Sequence, residues 1–336
     1  MQSVSIVILN FNGWHFLEKF LTSVINHSDG HEIVVADNNS SDGSVDFMKS
    51  SFPQVKLITF SENYGFCGGY NRALKQLSSD LFVLLNSDIE VTKNWIEPII
   101  KLFGKDDKIA AVQPKLLDFN CKDKFEYAGG AGGFIDKFGY PFCRGRIFDT
   151  IETDIGQYDD AREIFWASGA CLFIRAELFS SFGGFDEDFF AHMEEIDLCW
   201  RMKQEGYKIY YSSQSHVYHV GGGTLAYSNP RKTYFNFRNS LLVLIKNLPV
   251  HSLFWKIPIR WFVDYVAAAK FLFSGNAKDA FMIIKAHIYI LKNLTRTLRK
   301  RKSIRETDEN LTGLYPKFLL FGYHIARVRK FSDMDF

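Results

Sequence analysis

No two cysteines are spaced as CxxC, and the five present (Cys67, Cys121, Cys143, Cys171 and Cys199) are odd in number. That argues against a zinc site and a disulfide framework and points to free thiols in a reducing compartment. No run in the C-terminal half reaches the ~18 uncharged apolar residues that a spanning helix needs. The opening MQSVSIVILNFNG lacks a basic region followed by a small-residue cleavage site, so no secretory leader is expected and the expected address is cytoplasmic. The glycine-rich stretch SENYGFCGGYN (61–71) fits neither a Walker A loop nor the GxGxxG dinucleotide pattern.

Net charge is nearly absent too, at +2 over 336 residues, but that balance hides a split. From Arg231 onward 20 Lys and Arg stand against 7 Asp and Glu, whereas residues 1–230 carry 20 against 31. An acidic front joined to a basic back suggests that the back meets something anionic. What the chain has in excess is aromatic: 33 Phe, 15 Tyr and 6 Trp.

Strand-like runs at 4–9, 32–37, 55–60, 81–86 and 109–116 alternate with helical patterns at about 14–26, 44–51, 69–77 and 93–103. Near-continuous Val, Ile and Leu strands separated by helices predict a doubly wound α/β unit with a parallel sheet covered on both faces. Residues 117–165 read as long loops or a small excursion from the sheet. A single strand over 163–175, a helix from about Glu194 to Glu205 and a strand over 208–212 follow.

The ends of the first four strands are chemically alike. They finish in Asn10-Phe11-Asn12, ADNNSSDGS (36–44), SENYGFCGGYN and NSD (86–88). One such end is a turn. Four on one edge of a parallel sheet outline a polar cleft, where ligands bind in open α/β sheets. Asp37, at a strand end, can accept from a base N–H or a ribose hydroxyl, while Asp42 suits a turn and helix cap. Gly65, Gly68 and Gly69 allow close backbone approach. Asp88 stands where a hard divalent cation is often held by a carboxylate and substrate phosphates, and His219 or His216 in HVYHVGGG could add a second ligand. In HMEEIDLCWR (192–201) three acids crowd a helix start. Helix-dipole capping and an Asp197–Arg201 pair absorb two of them. The third is available as a general base.

From about Tyr234 aromatic and aliphatic residues at helical spacing mix with Lys and Arg, and RTLRKRKSIR (296–305) carries six basic residues. Two expectations fit: helices that cap the α/β unit, or amphipathic helices lying in an anionic membrane interface. No nucleic-acid fold accompanies the basic run, so no nucleic acid partner is expected.

The segments VSIVILNFNG, VVADNNSSDGS, ENYGFCGGYN, LLNSD, SGACLFIRAELF, GGFDEDFF and HMEEIDLCWR together resemble glycosyltransferase family 2, the inverting enzymes of GT-A fold. Within it they are most similar to the bacterial rhamnosyltransferase-like members of surface polysaccharide synthesis. The resemblance covers about residues 3–240. It implies a Rossmann-like, mostly parallel central sheet in a catalytic domain over 1–233, divided into a nucleotide-binding half (1–116) and an acceptor half (117–233). The helical amphipathic region over 234–336 lies outside it. By the same resemblance Asn12, Asp37 and Asn39 would meet the nucleotide, and Asn63, Gly65 and Asn71 would line the nucleotide and sugar site. Asn86, Ser87 and Asp88 occupy the place of the family's DxD motif, with Asp88 the main ligand of Mg²⁺ or Mn²⁺ and His219 completing the site. Trp166, Ser168 and Gly169 would border the acceptor. The acid pair reads Glu194-Glu195, which makes Glu195 the expected base and Asp197 its alternative. The implied donor is a dTDP- or UDP-linked hexose, dTDP-rhamnose foremost, and the implied acceptor a glycan, free or on a polyprenyl diphosphate. The competing readings are a non-catalytic sugar-nucleotide-binding or scaffold protein and a sugar nucleotidyltransferase. ILNFNGWH lacks the Arg-containing glycine loop expected of the latter.

Overall fold

The computed structural model describes residues 2–28, 30–221, 229–301 and 311–336. In chain order its nucleotide-side elements are Val4–Asn10 (β1), Trp14–Asn26 (α1), Glu32–Asp37 (β2), Ser44–Ser51 (α2), Lys56–Thr59 (β3), Gly65–Leu74 (α3) and Leu81–Asn86 (β4). Then come Ile89–Val91 (β5), Glu97–Phe103 (α4), Ile109–Asp118 (β6), Gly133–Asp136 (β7), Pro141–Cys143 (β8), Arg146–Ile147 (β9) and Thr150–Ile151 (β10). Ala161–Ile164 (β11), Cys171–Arg175 (β12), Ala176–Ser181 (α5), Glu194–Gln204 (α6) and Lys208–His219 (β13) complete the α/β part. Pro230–Asn247 (α7), Val250–Phe273 (α8), Ala277–Arg299 (α9), Leu314–Tyr315 (β14) and Leu319–His324 (α10) follow.

The central sheet runs β11-β13-β6-β12-β4-β1-β2-β3, with β5 added on β13. The first four strands are parallel, as their uninterrupted apolar runs predict. Alternate residues bury on opposite faces. Ile6, Ile8, Val83 and Leu85 pack with α1, α2 and α4, while Val7, Leu84, Leu172 and Ile174 pack with α3, α5, α6 and α7.

Beyond β4 the sequence reading needs three corrections. The fifth strand of the pattern, β6, is not beside β4, because β12 inserts between them antiparallel to both. The expected strand at 163–175 is two, β11 and β12, on different neighbours and separated by the turn WASGA. Residues 117–165 are more than loops: β7 to β10 form a second sheet in the order β10-β9-β8-β7-β14. Its strands of two to four residues are too short for a period-two pattern to register.

The boundary at 233/234 does not separate two cores. Leu241 to Ile245 and Leu248 belong to the same buried cluster as β-sheet and α6 residues, so α7 is the expected cap. Its polar residues carry as much of the contact. Lys246 donates to Asp197 (2.8 Å) and Asp186 (2.7 Å), and Asn247 donates to the other Asp197 oxygen (2.9 Å). Arg238 and Asn239 donate to the carbonyls of Asp188, Phe189, Ala191 and His192 at 2.6–3.1 Å. Part of the basic run, from Lys302 to Arg305, lies outside the described residues, as do the last glycines of HVYHVGGG. No described helix is long and apolar enough to cross a membrane.

Removing one partner of a buried ion pair leaves an uncompensated charge. Lys246→Met is therefore expected to lower unfolding stability by about 3 kcal/mol, read as an earlier midpoint in urea with an unchanged slope.

Candidate active site

The strand ends that the sequence groups together do converge. Asn10 ends β1 beside Asp37 at the end of β2. Its amide donates to Asp37 (3.0 Å) and to the Ser40 hydroxyl (3.1 Å), while its side-chain carbonyl oxygen is buried with no partner among the described residues. Asn12 adopts a left-handed backbone (φ 51°), which an Asn tolerates. Its side chain accepts from the Ser41 N–H at 2.8 Å and so folds the β2–α2 loop against the β1 end. Asp42 is not the N-cap of α2, which is Gly43, but it accepts from the Trp14 N–H at the start of α1 and from the Ser44 N–H at the start of α2.

Asn39 is exposed and also left-handed, at φ 66°. Asn63 accepts from Asn38 and from the Gly65 N–H, fixing the start of α3. Gly65 has φ +68°, and a Cβ there would lie 2.6 Å from the Phe190 ring, so a glycine is required. Asn71 differs from expectation. Both ends of its amide bind the backbone of Phe185, donating at 2.8 Å and accepting at 2.9 Å, so it braces the GGFDEDFF turn rather than presenting itself to a ligand.

At the end of β4, Asp88 Oδ1 lies 3.1 Å from His219 Nε2, and Asn86 Nδ2 lies 3.4 Å from the same nitrogen. His219 Nδ1 is 3.2 Å from Glu126 Oε1, an ion-pair distance without the alignment of a hydrogen bond. All three side chains of the Asp88–His219–Glu126 row are buried. Burial opposes charge on the imidazole, yet the two carboxylates outweigh it and hold the His219 pKa well above its ordinary value. Burial likewise raises Asp88, and His219 more than reverses that, leaving it below the usual carboxylate range. His216 is excluded as the second ligand, since it alternates to the opposite side of β13 and packs on Tyr218.

Glu126 was not anticipated from the sequence. The one available signal was an acid placed just before the glycines of EYAGGAGG. Lys232 on α7 is a second addition, within electrostatic reach of both Glu126 and His192.

The row continues to the acid pair. Glu126 accepts from the Ala128 N–H at 2.6 Å, and Ser168 donates to the Ala128 carbonyl at 2.8 Å. Next to Ser168, the N–H of Gly169 reaches the Glu195 carboxylate. The Ala170 carbonyl accepts from the Asn86 N–H at 2.9 Å, which ties this turn to the β4 end. Gly169 also faces Phe66 and Glu194. Trp166, expected at the acceptor, is instead a core residue: its indole donates to the Phe134 carbonyl (2.8 Å) and its ring covers Gly133. The Ser168 hydroxyl is likewise committed inside the fold.

Glu194 and Glu195 open α6 after an unusual run of backbone. Phe190, His192 and Met193 all have φ between 64° and 72°. Each such bulky residue costs on the order of 1–3 kcal/mol, and the Arg238 and Asn239 clamp holds the segment in place. Both glutamates have an oxygen without a partner among the described residues. Burial raises the pKa of each, that of Glu195 to about 7, and the Glu195 charge raises Glu194 further. The pair thus retains a proton where ordinary carboxylates have lost theirs. Asp197 does not share this state. It is 0 % exposed, bound by Arg201 (2.9 Å), Lys246 and Asn247, and held below the usual range. Its role is structural, and the sequence alternative of Asp197 as base is overturned.

A cleft of about 470 Å³ lined by Tyr140, Phe237, Asp264 and Phe271 includes none of these groups.

A carboxylate and imidazole at the carboxyl end of a parallel sheet, joined through backbone contacts to a proton-holding acid pair on a helix start, are the arrangement of a group-transferring enzyme of the GT-A class. The chain belongs to Glycosyl transferase family 2, whose model matches residues 5–181. It is 22% identical over 320 residues to an N-acetylglucosaminyl-diphospho-decaprenol L-rhamnosyltransferase of Mycobacterium tuberculosis, covering 90% of this chain and 97% of that one. Two solved structures share the fold. GalNAc-T7 with UDP, GalNAc and Mn²⁺ superposes with a TM-score of 0.59 at 16% identity, over 88% of this chain and 58% of its own. Mannosyltransferase PcManGT from Pyrobaculum calidifontis, in complex with GDP-Man and Mn²⁺, gives 0.52 at 14% over 86% and 87%.

Asp88 Oδ1 and His219 Nε2 are hydrogen-bonded to each other, and among the described residues no three His, Cys, Asp or Glu side chains are grouped as a metal site. A hard or borderline cation taken up here would have to displace the His219 proton to use that nitrogen, with Glu126 behind the ring. Glu126→Gln is expected to weaken Mn²⁺ binding in the presence of a nucleoside diphosphate by about 10–100-fold, measured by isothermal titration calorimetry.

Proposed function

We propose that this glycosyltransferase moves a hexose, rhamnose from dTDP-rhamnose foremost, to a hydroxyl of a glycan carried on a polyprenyl diphosphate, with inversion. UDP-linked hexoses are the next donors to test. The similarity to a rhamnosyltransferase acting on a decaprenyl-linked sugar along nearly its whole length supports the acceptor class. The single observation that carries the mechanism is the Glu194–Glu195 pair, protonated beyond the ordinary range and linked through Gly169 and Ser168 to the Asp88–His219–Glu126 row.

Asp88 and His219 would hold the divalent ion, Mg²⁺ or Mn²⁺, which supplies positive charge to the departing diphosphate when bound. Asp37 and the side-chain carbonyl of Asn10, which has no partner among the described residues, would fix the nucleoside. Ionised Glu195 takes the proton of the acceptor hydroxyl as that oxygen attacks the anomeric carbon on the face opposite the nucleotide, so configuration inverts. Glu194, kept protonated by burial and by its charged neighbour, donates a hydrogen bond rather than competing as a base. The strained, clamped segment before α6 fixes the direction of approach. The site of action in this proposal is the cytoplasmic face of the membrane, with the protein bound peripherally.

Glu195→Gln is expected to retain nucleotide-sugar binding and to lose about 10²–10⁴-fold in transfer rate, followed by release of nucleoside diphosphate. Unaltered transfer in that variant removes the assignment. In the wild type the base must be ionised, so kcat/KM should climb with pH up to about 7 and level off above it. A profile that falls through this range contradicts the role. Full turnover in EDTA would overturn the metal part alone.

A further inference from the structure

Helix α8 is built inside out. Its inward stripe is Ser252, Lys256, Arg260, Asp264 and Ala268, every fourth residue. Arg260 donates to Asp264 (3.1 Å), to the Phe138 carbonyl (2.7 Å) and to the Ser240 hydroxyl (2.7 Å), and His287 of α9 meets the second Asp264 oxygen at 3.1 Å. The outward side is apolar instead. Phe254, Phe262 and Phe273 are 79%, 70% and 93% exposed, and Trp255, Ile259 and Val266 lie among them. Helix α9, which packs on both α7 and α8, continues the patch with exposed Phe281, Ile284, Ile288, Leu291 and Leu298. An apolar surface this continuous marks an interaction site.

Charge decides what covers it. The exposed charges of the two helices are Lys270, Lys278, Lys285, Lys292, Arg296 and Arg299. Both acids are withdrawn: Asp264 is buried, and Asp279 is half-buried and accepts from the Thr233 hydroxyl. A second copy of the chain would press like charges together. A bilayer interface with phosphate headgroups accepts aromatic side chains and Lys or Arg on the same surface.

We infer that the outward faces of α8 and α9 form a membrane-insertion surface, lying in the headgroup region of an anionic bilayer with Phe254, Phe262 and Phe273 as the anchors. This deepens the peripheral-membrane part of the proposed function by naming the surface and its mode. Insertion is led by apolar burial, with the lysines adding preference for anionic lipid. The surface is coupled to the reaction centre. At the end of α9, Arg296 pairs with Asp188 and Lys300 pairs with Asp186 and Asp188, in the segment that leads to Glu194 and Glu195. An acceptor anchored by its lipid would then meet the base close to the headgroup plane.

Flotation of the full chain with vesicles of phosphatidylcholine and phosphatidylglycerol, against phosphatidylcholine alone, tests the inference. The wild type should float with the anionic vesicles and show a blue-shifted tryptophan emission. F254S/F262S/F273S should partition at least tenfold less, with metal-dependent donor hydrolysis unchanged. K270Q/K278Q/K285Q/K292Q should lose the preference for phosphatidylglycerol. The inference is overturned if the wild type stays unbound or if the triple Phe variant floats like it. It is also overturned if that variant converts a stable dimer to monomer without lipid, which would make the face a self-interface. Vesicle binding with no donor turnover under any condition would sink the transfer reading and leave this one standing.

Discussion

Asp197 is the pin on which the reaction centre turns. It carries a full charge at zero exposure, and it can do so only because Arg201, Lys246 and Asn247 surround it. Two of those three come from α7, fifty residues downstream, so the start of α6 is fixed by a helix outside the α/β repeat. With α6 held there, the backbone before it is forced through three left-handed residues, and Glu194 and Glu195 emerge into a place where neither oxygen pair is fully satisfied. Neighbouring carboxylates in one helical turn therefore serve opposite ends. One is held charged by neighbouring cations and sets position, while burial holds the pair beside it above the ordinary carboxylate range.

The second constraint is the antiparallel entry of β12 beside β4. It puts the turn Ser168–Ala170 against the end of the strand that carries Asn86 and Asp88. The parallel and antiparallel parts of the sheet thereby meet along backbone, and the chain of contacts from Asp88 through His219, Glu126, Ala128, Ser168 and the neighbouring Gly169 to Glu195 runs along that junction. Phe190 adds a further link, since its carbonyl accepts from Phe66 and Cys67 at the first turn of α3.

The sequence disclosed these features unevenly, for physical reasons. Buried parallel strands are long apolar runs, so β1 to β4 and their helices stand close to where the pattern puts them. The antiparallel half mixes short strands with glycines and leaves no periodic trace, and β12 was read as one strand with β11. Asp88, His219 and Glu195 could be singled out by their positions at strand and helix ends, and the structure links the three through one run of contacts. Asp197 was misassigned as a possible base because its partners Lys246 and Asn247 are remote in sequence, and Asn71 and Trp166 because an amide or an indole looks the same whether it faces a ligand or braces a turn. Glu126 was missed because its partner, His219, is 93 residues away. Two concentrations of the aromatic surplus stand out: the cluster of Phe134, Phe142, Tyr315, Phe331 and Phe336, and the outward side of α8.

That cluster has a consequence for how the molecule comes into being. Strand β7 finds its outer neighbour only in β14, some 180 residues later, and the rings of Phe331 and Phe336 close over the same sheet. A ribosome adding roughly 5–20 residues per second leaves this edge open for something like ten to forty seconds. Until then a nascent chain exposes an unpaired strand beside bare phenylalanines, the kind of surface that holdase chaperones recognise. The second sheet is thus the last part to be finished, and any shortfall of chain after residue 313 would be felt there before it reached the parallel strands of the central sheet.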